Sequence, residues 1–193
     1  MACKQEASVV RVDGFPSERP ETQEKMSDGD KLTQHVENVV RTWALVKKDL
    51  VGNGIVFYMR LFSENPEVKS LFSFASSMNT EEVQHDNPGL RRQAKTLMSM
   101  IDYAIRCLGN LKDLVPKLKT LGKRHFVKYN VKPEHFKAVG AALLWTLKEG
   151  LGEIFTRDVD AAWTAIFRIL ADVMIEGGKE GLAEIKSRST GNE

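Results

Sequence analysis

Cysteine is scarce: Cys3 and Cys107 are the only two in 193 residues, and no metal-ligand spacing surrounds either. A disulfide framework and a zinc ribbon are excluded, and a reducing compartment fits best. Long apolar runs are lacking too. The longest, over 138–147, has about half the length needed to cross a bilayer. There is no excess of one charge: 28 basic and 26 acidic residues are interspersed, leaving +2 and no electrostatic footprint for nucleic acid. A basic-then-apolar leader is missing, and Ala2 stands where myristoylation needs glycine. The expected location is cytoplasmic, with membrane contact only if Cys3 is lipidated. No stretch alternates with period two for long, and no repeat of about 20–50 residues appears, which excludes a sheet protein and a solenoid. Gly52-Asn53-Gly54 lacks the Lys-Ser/Thr of a phosphate loop and reads as a close helix crossing. No Ser-His-Asp or Cys-His constellation can be assembled from the spacings.

What is present is helical periodicity. Residues 1–27 mix charges with Pro16 and Pro20 and read as a disordered arm. Val36, Val39, Val40, Trp43 and Val46 then recur at threes and fours, one face of a helix. Gly52 and Gly54 punctuate the pattern before a second helix with Ile55, Tyr58, Leu61 and Phe62 inward. Asn65-Pro66 restarts the chain as a short turn of helix, and residues 72–86 read as a loop. Asn87 caps a helix that Pro88 begins, with the stripe Leu90, Ala94, Leu97, Met98, Ile101 and Ile105. After Gly109-Asn110 a further stripe runs through Leu111, Leu114, Leu118 and Leu121. Pro133 opens the next helix, which Gly150 and Gly152 stop. Thr156 caps the last, with Val159, Trp163, Ile166, Leu170 and Val173 inward until Gly177-Gly178. The pattern predicts an all-α domain over 28–180 and a flexible tail over 181–193.

Three polar residues fall where apolar ones belong. Four residues past Leu121 the stripe lands on His125. Spacing alone leaves two readings open, a core histidine bonded to a carbonyl or a ligand. Gln93 sits in the middle of an apolar face, and burying its amide unpartnered costs about 1–3 kcal/mol. Tyr58 turns its ring inward with a hydroxyl that also needs a partner. Each alone has a structural explanation. Together, on three helices, they point to an internal site, and a haem would account for all three, because neutral imidazole is a preferred axial ligand for iron.

The residues resemble the globin family, over roughly 30–180. Trp43 followed by Gly54, the run Arg60-Leu61-Phe62, Pro66 six residues before Phe72, and Leu121 four before His125 all stand in globin order. The resemblance implies a globin fold of about seven to eight helices around a b-type haem, with His125 as the proximal iron ligand and Phe72 packed on the haem. Leu97, Leu121, Val131 and Phe136 are then haem contacts. Lys123, Arg124 and Tyr129 flank His125, which leaves two readings open, contact with the haem propionates or plain solvation near a helix end. Leu90-Arg91-Arg92-Gln93 is similar to the segment that normally ends in the distal histidine. Here it ends in glutamine, a departure from the neuroglobin, cytoglobin and globin X branch that the chain otherwise resembles. A primary amide is a poor iron ligand, so a five-coordinate ferrous iron is expected. Tyr58 matches the position whose hydroxyl reaches bound dioxygen, which makes Tyr58 and Gln93 a donor pair.

The function this implies is reversible dioxygen binding for storage, supply or sensing. Nitric oxide dioxygenase or nitrite reductase chemistry is the alternative and would need an external reductase, since no flavin or nicotinamide segment is seen. Redox signalling through the arm and Cys3 is a third reading. Dioxygen and other diatomic gases are the expected ligands, and a homodimer is left open. His35, His85 and His135 are read as surface or structural.

Overall fold

The computed structural model describes residues 26–78 and 87–190. Among them the chain forms seven α-helices and no strand, as the periodicities predict. The first, α1 (Asp28–Val46), begins where Ser27 Oγ accepts the Asp30 amide at 3.1 Å, with Asp28 and Asp30 in the turn where the helix dipole favours acids. A 3-10 turn, Lys47–Asp49, leads into α2 (Leu50–Glu64). Gly52 and Gly54 lie inside α2 rather than ahead of it. Their role is space: a Cβ on Gly52 would stand 2.1 Å from the capping carboxylate of Asp49, and one on Gly54 would stand 2.8 Å from the Ala94 Cβ.

The expected short turn is α3 (Pro66–Lys69), and a 3-10 stretch, Ser73–Ser77, follows. Residues 79–86, which include His85, and the arm up to residue 25 lie outside the described residues. In α4 (Pro88–Arg106) the Asn87 side chain accepts the Leu90 amide at 3.0 Å, the cap read from Asn-Pro. Next come α5 (Leu111–Tyr129) and α6 (His135–Leu151), the latter ended by Gly152 with φ 53°. Thr156 Oγ1 accepts the Val159 amide at 3.4 Å at the head of α7 (Arg157–Thr190).

Helix α7 does not stop at Gly177-Gly178; it runs on to Thr190, so most of the tail expected from 181 is helical. The reason is tertiary. Gly177 lies against the Lys119 backbone, Gly178 under the Phe126 ring and Gly122 against the Met174 carbonyl, each closer than a Cβ would allow. Packing on this bare backbone outweighs the cost of about 1 kcal/mol that a glycine brings to a helix interior. Lys119 pairs across the seam with Glu176 (2.8 Å) and Glu180 (2.7 Å), and Lys123 pairs with Glu184.

The main core draws on α1, α2, α4, α6 and α7. Trp43 and Trp163 sit 5.9 Å apart at its centre, their indole N–H groups donating to Asp102 Oδ1 and Thr42 Oγ1, both at 2.9 Å. A smaller cluster of Ala104, Leu114 and Leu118 ties α5 to the end of α4 and to α7. Beyond that cluster, α5 is packed on α7 while α4 is packed on α2, and no packed interface joins α4 to α5 among the described residues. No described helix is long and apolar enough to cross a membrane.

Candidate functional site

The three polar residues stand on three helices, Tyr58 on α2, Gln93 on α4 and His125 on α5. On the α4 side, Tyr58 is 3 % exposed, its ring set edge-on to Phe57 (5.0 Å) and Phe72 (5.5 Å) and tilted on Phe62 (5.5 Å). Phe74 joins Phe72 at 5.6 Å. Gln93 Nε2 donates to the Tyr58 hydroxyl oxygen at 3.1 Å. The hydroxyl's proton stays free, so the pair presents one O–H and the remaining amide hydrogen. Burial pushes the Tyr58 hydroxyl up to about 12, with the bond from Gln93 pulling weakly the other way. The separation of these two side chains is set by the Gly54–Ala94 contact, one residue from Gln93 and one turn from Tyr58.

On the α5 side, His125 Nδ1 lies 2.8 Å from the Leu121 carbonyl oxygen. A carbonyl only accepts, so Nδ1 carries the proton and Nε2 bears the lone pair. Nε2 has no hydrogen-bond partner among the described residues. Burial holds the imidazole below its ordinary value; the Leu121 bond opposes this and the Arg124 charge adds to it. The side chain is thus a neutral, oriented nitrogen donor.

The other expected residues fall into two groups. Leu97 lies one turn beyond Gln93 and is partly buried against the core. Leu121 supplies its carbonyl to His125, the Val131 amide donates to the His125 carbonyl at 3.0 Å, and the Phe136 ring is 6.3 Å from that of Phe126. Leu97, Leu121 and Phe136 keep partial exposure on faces the pattern assigns to core, and Val131, in the loop after α5, is also partly exposed. Arg124 and Tyr129 instead engage each other: the guanidinium Nε donates to the tyrosine hydroxyl at 3.0 Å, and Tyr129 also sets its ring edge-on to His125 at 5.9 Å. No hydrogen bond or ring contact joins His125 to the Tyr58–Gln93 pair among the described residues.

This donor set fits a haem. His125 offers a lone-pair nitrogen with no hydrogen-bond partner among the described residues, and Tyr58 and Gln93 offer two hydrogen-bond donors from other helices. Sequence reading missed Asn130, whose left-handed backbone (φ 52°) ends α5. An asparagine after the last stripe residue and shortly before Pro133 was the available signal, since asparagine is enriched in that conformation. It also missed Phe62 and Phe74 as partners of Phe72, because ring contacts between separate elements leave no periodic trace.

Comparison with known proteins identifies the family. The Globin family model matches residues 55–174. The chain is 30% identical to cytoglobin-2 of Oryzias latipes over 153 residues, 79% of this chain and 83% of the relative. It is 29% identical to a neuroglobin of Tetraodon nigroviridis over 154 residues, 80% of this chain and 93% of the relative. An anaerobic nitrite reductase of Brassica napus is 35% identical over 144 residues, 72% of this chain and 88% of the relative. With a match over more than half its length and a site that fits the cofactor, the chain belongs to the globin family, haem proteins that bind diatomic gases.

Proposed function

We propose that this globin binds dioxygen reversibly, with His125 Nε2 holding the haem iron and Tyr58 and Gln93 donating to the gas. The haem, when bound, supplies the metal that takes up a diatomic ligand. The observation that carries the reading is the Gln93–Tyr58 hydrogen bond at 3.1 Å inside an aromatic wall. Gln93 fixes the tyrosine hydroxyl and leaves its proton available to a guest. The amide is itself a poor iron ligand and is engaged with Tyr58, so the gas face stays open. Phe62 and Phe72 keep water from the donors, which strengthens each hydrogen bond they make. His125 stays neutral through burial and stays oriented through Leu121.

A preorganised donor favours dioxygen over carbon monoxide, because dioxygen in such a site carries more negative charge. A hydrogen bond to a charged group is worth about 1.5–3 kcal/mol, or about 10- to 100-fold in a rate. Tyr58→Phe is therefore expected to speed dioxygen release by about that factor and carbon monoxide release by much less. Stopped-flow measurement of both gases checks this, and equal acceleration of the two rules out the donor role. A second reading, turnover of nitrite or nitric oxide with an external electron donor, draws support from the plant relative that is named an anaerobic nitrite reductase. Nitric oxide release from nitrite by the reduced protein, measured without oxygen, distinguishes it.

A further inference from the structure

The end of α5 departs from a regular helix at the residue that matters most. The carbonyl of His125 accepts from the Asn130 amide and, at 3.0 Å, from the Val131 amide. These donors lie five and six residues ahead, whereas a helix pairs a carbonyl with the amide four ahead. The final turn is thus widened, and the chain closes back over the His125 carbonyl before leaving for α6. Asn130 makes this closure by adopting φ 52° and ψ 32°, among the described residues the only non-glycine with positive φ. Such widened turns cluster at functional sites, and residues held in the left-handed region persist only where their surroundings demand it.

The closure adds to the other restraints on His125. The imidazole Nδ1 is held by Leu121 one turn back, its ring meets the edge of Tyr129, and the next residue, Phe126, is pressed under Gly178 of α7. With the carbonyl also held, the backbone and the ring of His125 are both restrained. The same bond fixes Val131, an expected lining residue, relative to His125.

We infer that Asn130 is a positioning residue: its left-handed conformation sets the orientation of His125 toward the haem and locks Val131 beside it. This rests on His125 being the proximal ligand, and the experiment separates the two claims. Asn130→Gly keeps the left-handed turn without strain, whereas Asn130→Val disfavours it. Resonance Raman spectra of the reduced, haem-loaded protein read the iron–histidine stretch. Amide hydrogen exchange of the haem-free chain reads the Val131 bond. Asn130→Gly is expected to keep the wild-type stretch and slow Val131 exchange. Asn130→Val is expected to shift and broaden the stretch, lose Val131 protection, and speed haem loss by about tenfold, the size of a left-handed penalty. Asn130→Ala, a milder change, is expected to fall between them and guards against misfolding of the valine variant. A stretch and haem-loss rate unchanged in both Asn130→Val and Asn130→Ala overturns the positioning role. An iron–histidine stretch that survives in His125→Ala overturns the ligand assignment beneath it.

Discussion

A buried tyrosine accepts from a half-buried glutamine at this site, and the burial of the tyrosine determines how the pair responds to pH. With its hydroxyl pushed up to about 12, Tyr58 remains a proton donor across the physiological range. A distal histidine would titrate near neutrality instead. Dioxygen release is therefore expected to stay flat from about pH 6 to about pH 10, measured by flash photolysis or rapid mixing. The same shift predicts a stability effect with a definite sign. The folded value lies above the unfolded value of 10.0, so between them the native state binds more protons than the unfolded one. The stabilisation is complete below about pH 10 and is lost as pH rises toward about 12. The denaturant midpoint is expected to fall more steeply with pH across that window in the wild type than in Tyr58→Phe, and identical dependence on pH would contradict it.

At the level of elements, glycines mark where helices meet. A Cβ on Gly122 would fall 1.9 Å from the Met174 carbonyl oxygen, a contact with backbone that no rotamer relieves. Gly122→Ala must move α5 away from α7, and overpacking of this kind costs about 1–3 kcal/mol. At about 2–4 °C per kcal/mol for a chain of this size, the Tm is expected to fall by several degrees, measurable by calorimetry. Gly109, in the turn between α4 and α5, has nothing within 4 Å of where a Cβ would stand. Gly109→Ala is expected to stay within about 0.5 kcal/mol of the parent. If both variants melt alike, the seam is not what holds α5. The run-on of α7 past Gly177 belongs to the same account, since Lys119 and Lys123 find their glutamates there.

For the molecule as a whole, α4 and α5 meet only at the Ala104–Leu114–Leu118 cluster among the described residues, and the cofactor is expected to act as part of the core. Haem at about 1,000 times its dissociation constant would add about 4 kcal/mol, or roughly 8–16 °C in Tm. His125→Ala is expected to remove most of that increment while changing the haem-free Tm little. The all-α class, most helix starts and the inward turn of Tyr58, Gln93 and His125 were legible in the sequence, because apolar spacing and caps such as Asn87-Pro88 and Thr156 are local signals. Globin order further supplied the expected role of His125. The close helix crossing read at Gly52-Asn53-Gly54 is met at Gly54 against Ala94, whereas at Gly177-Gly178 local reading failed: a bare backbone looks like a helix stop until the helix that lies against it is known. The union of Gln93 with Tyr58, the closure of Asn130 on His125 and the mutual engagement of Arg124 and Tyr129 were likewise decided only in three dimensions. Periodicity determines which face a side chain occupies, whereas its hydrogen-bond partner depends on how closely two helices approach, and at this site that approach is permitted by Gly54, which has no side chain, against the methyl of Ala94.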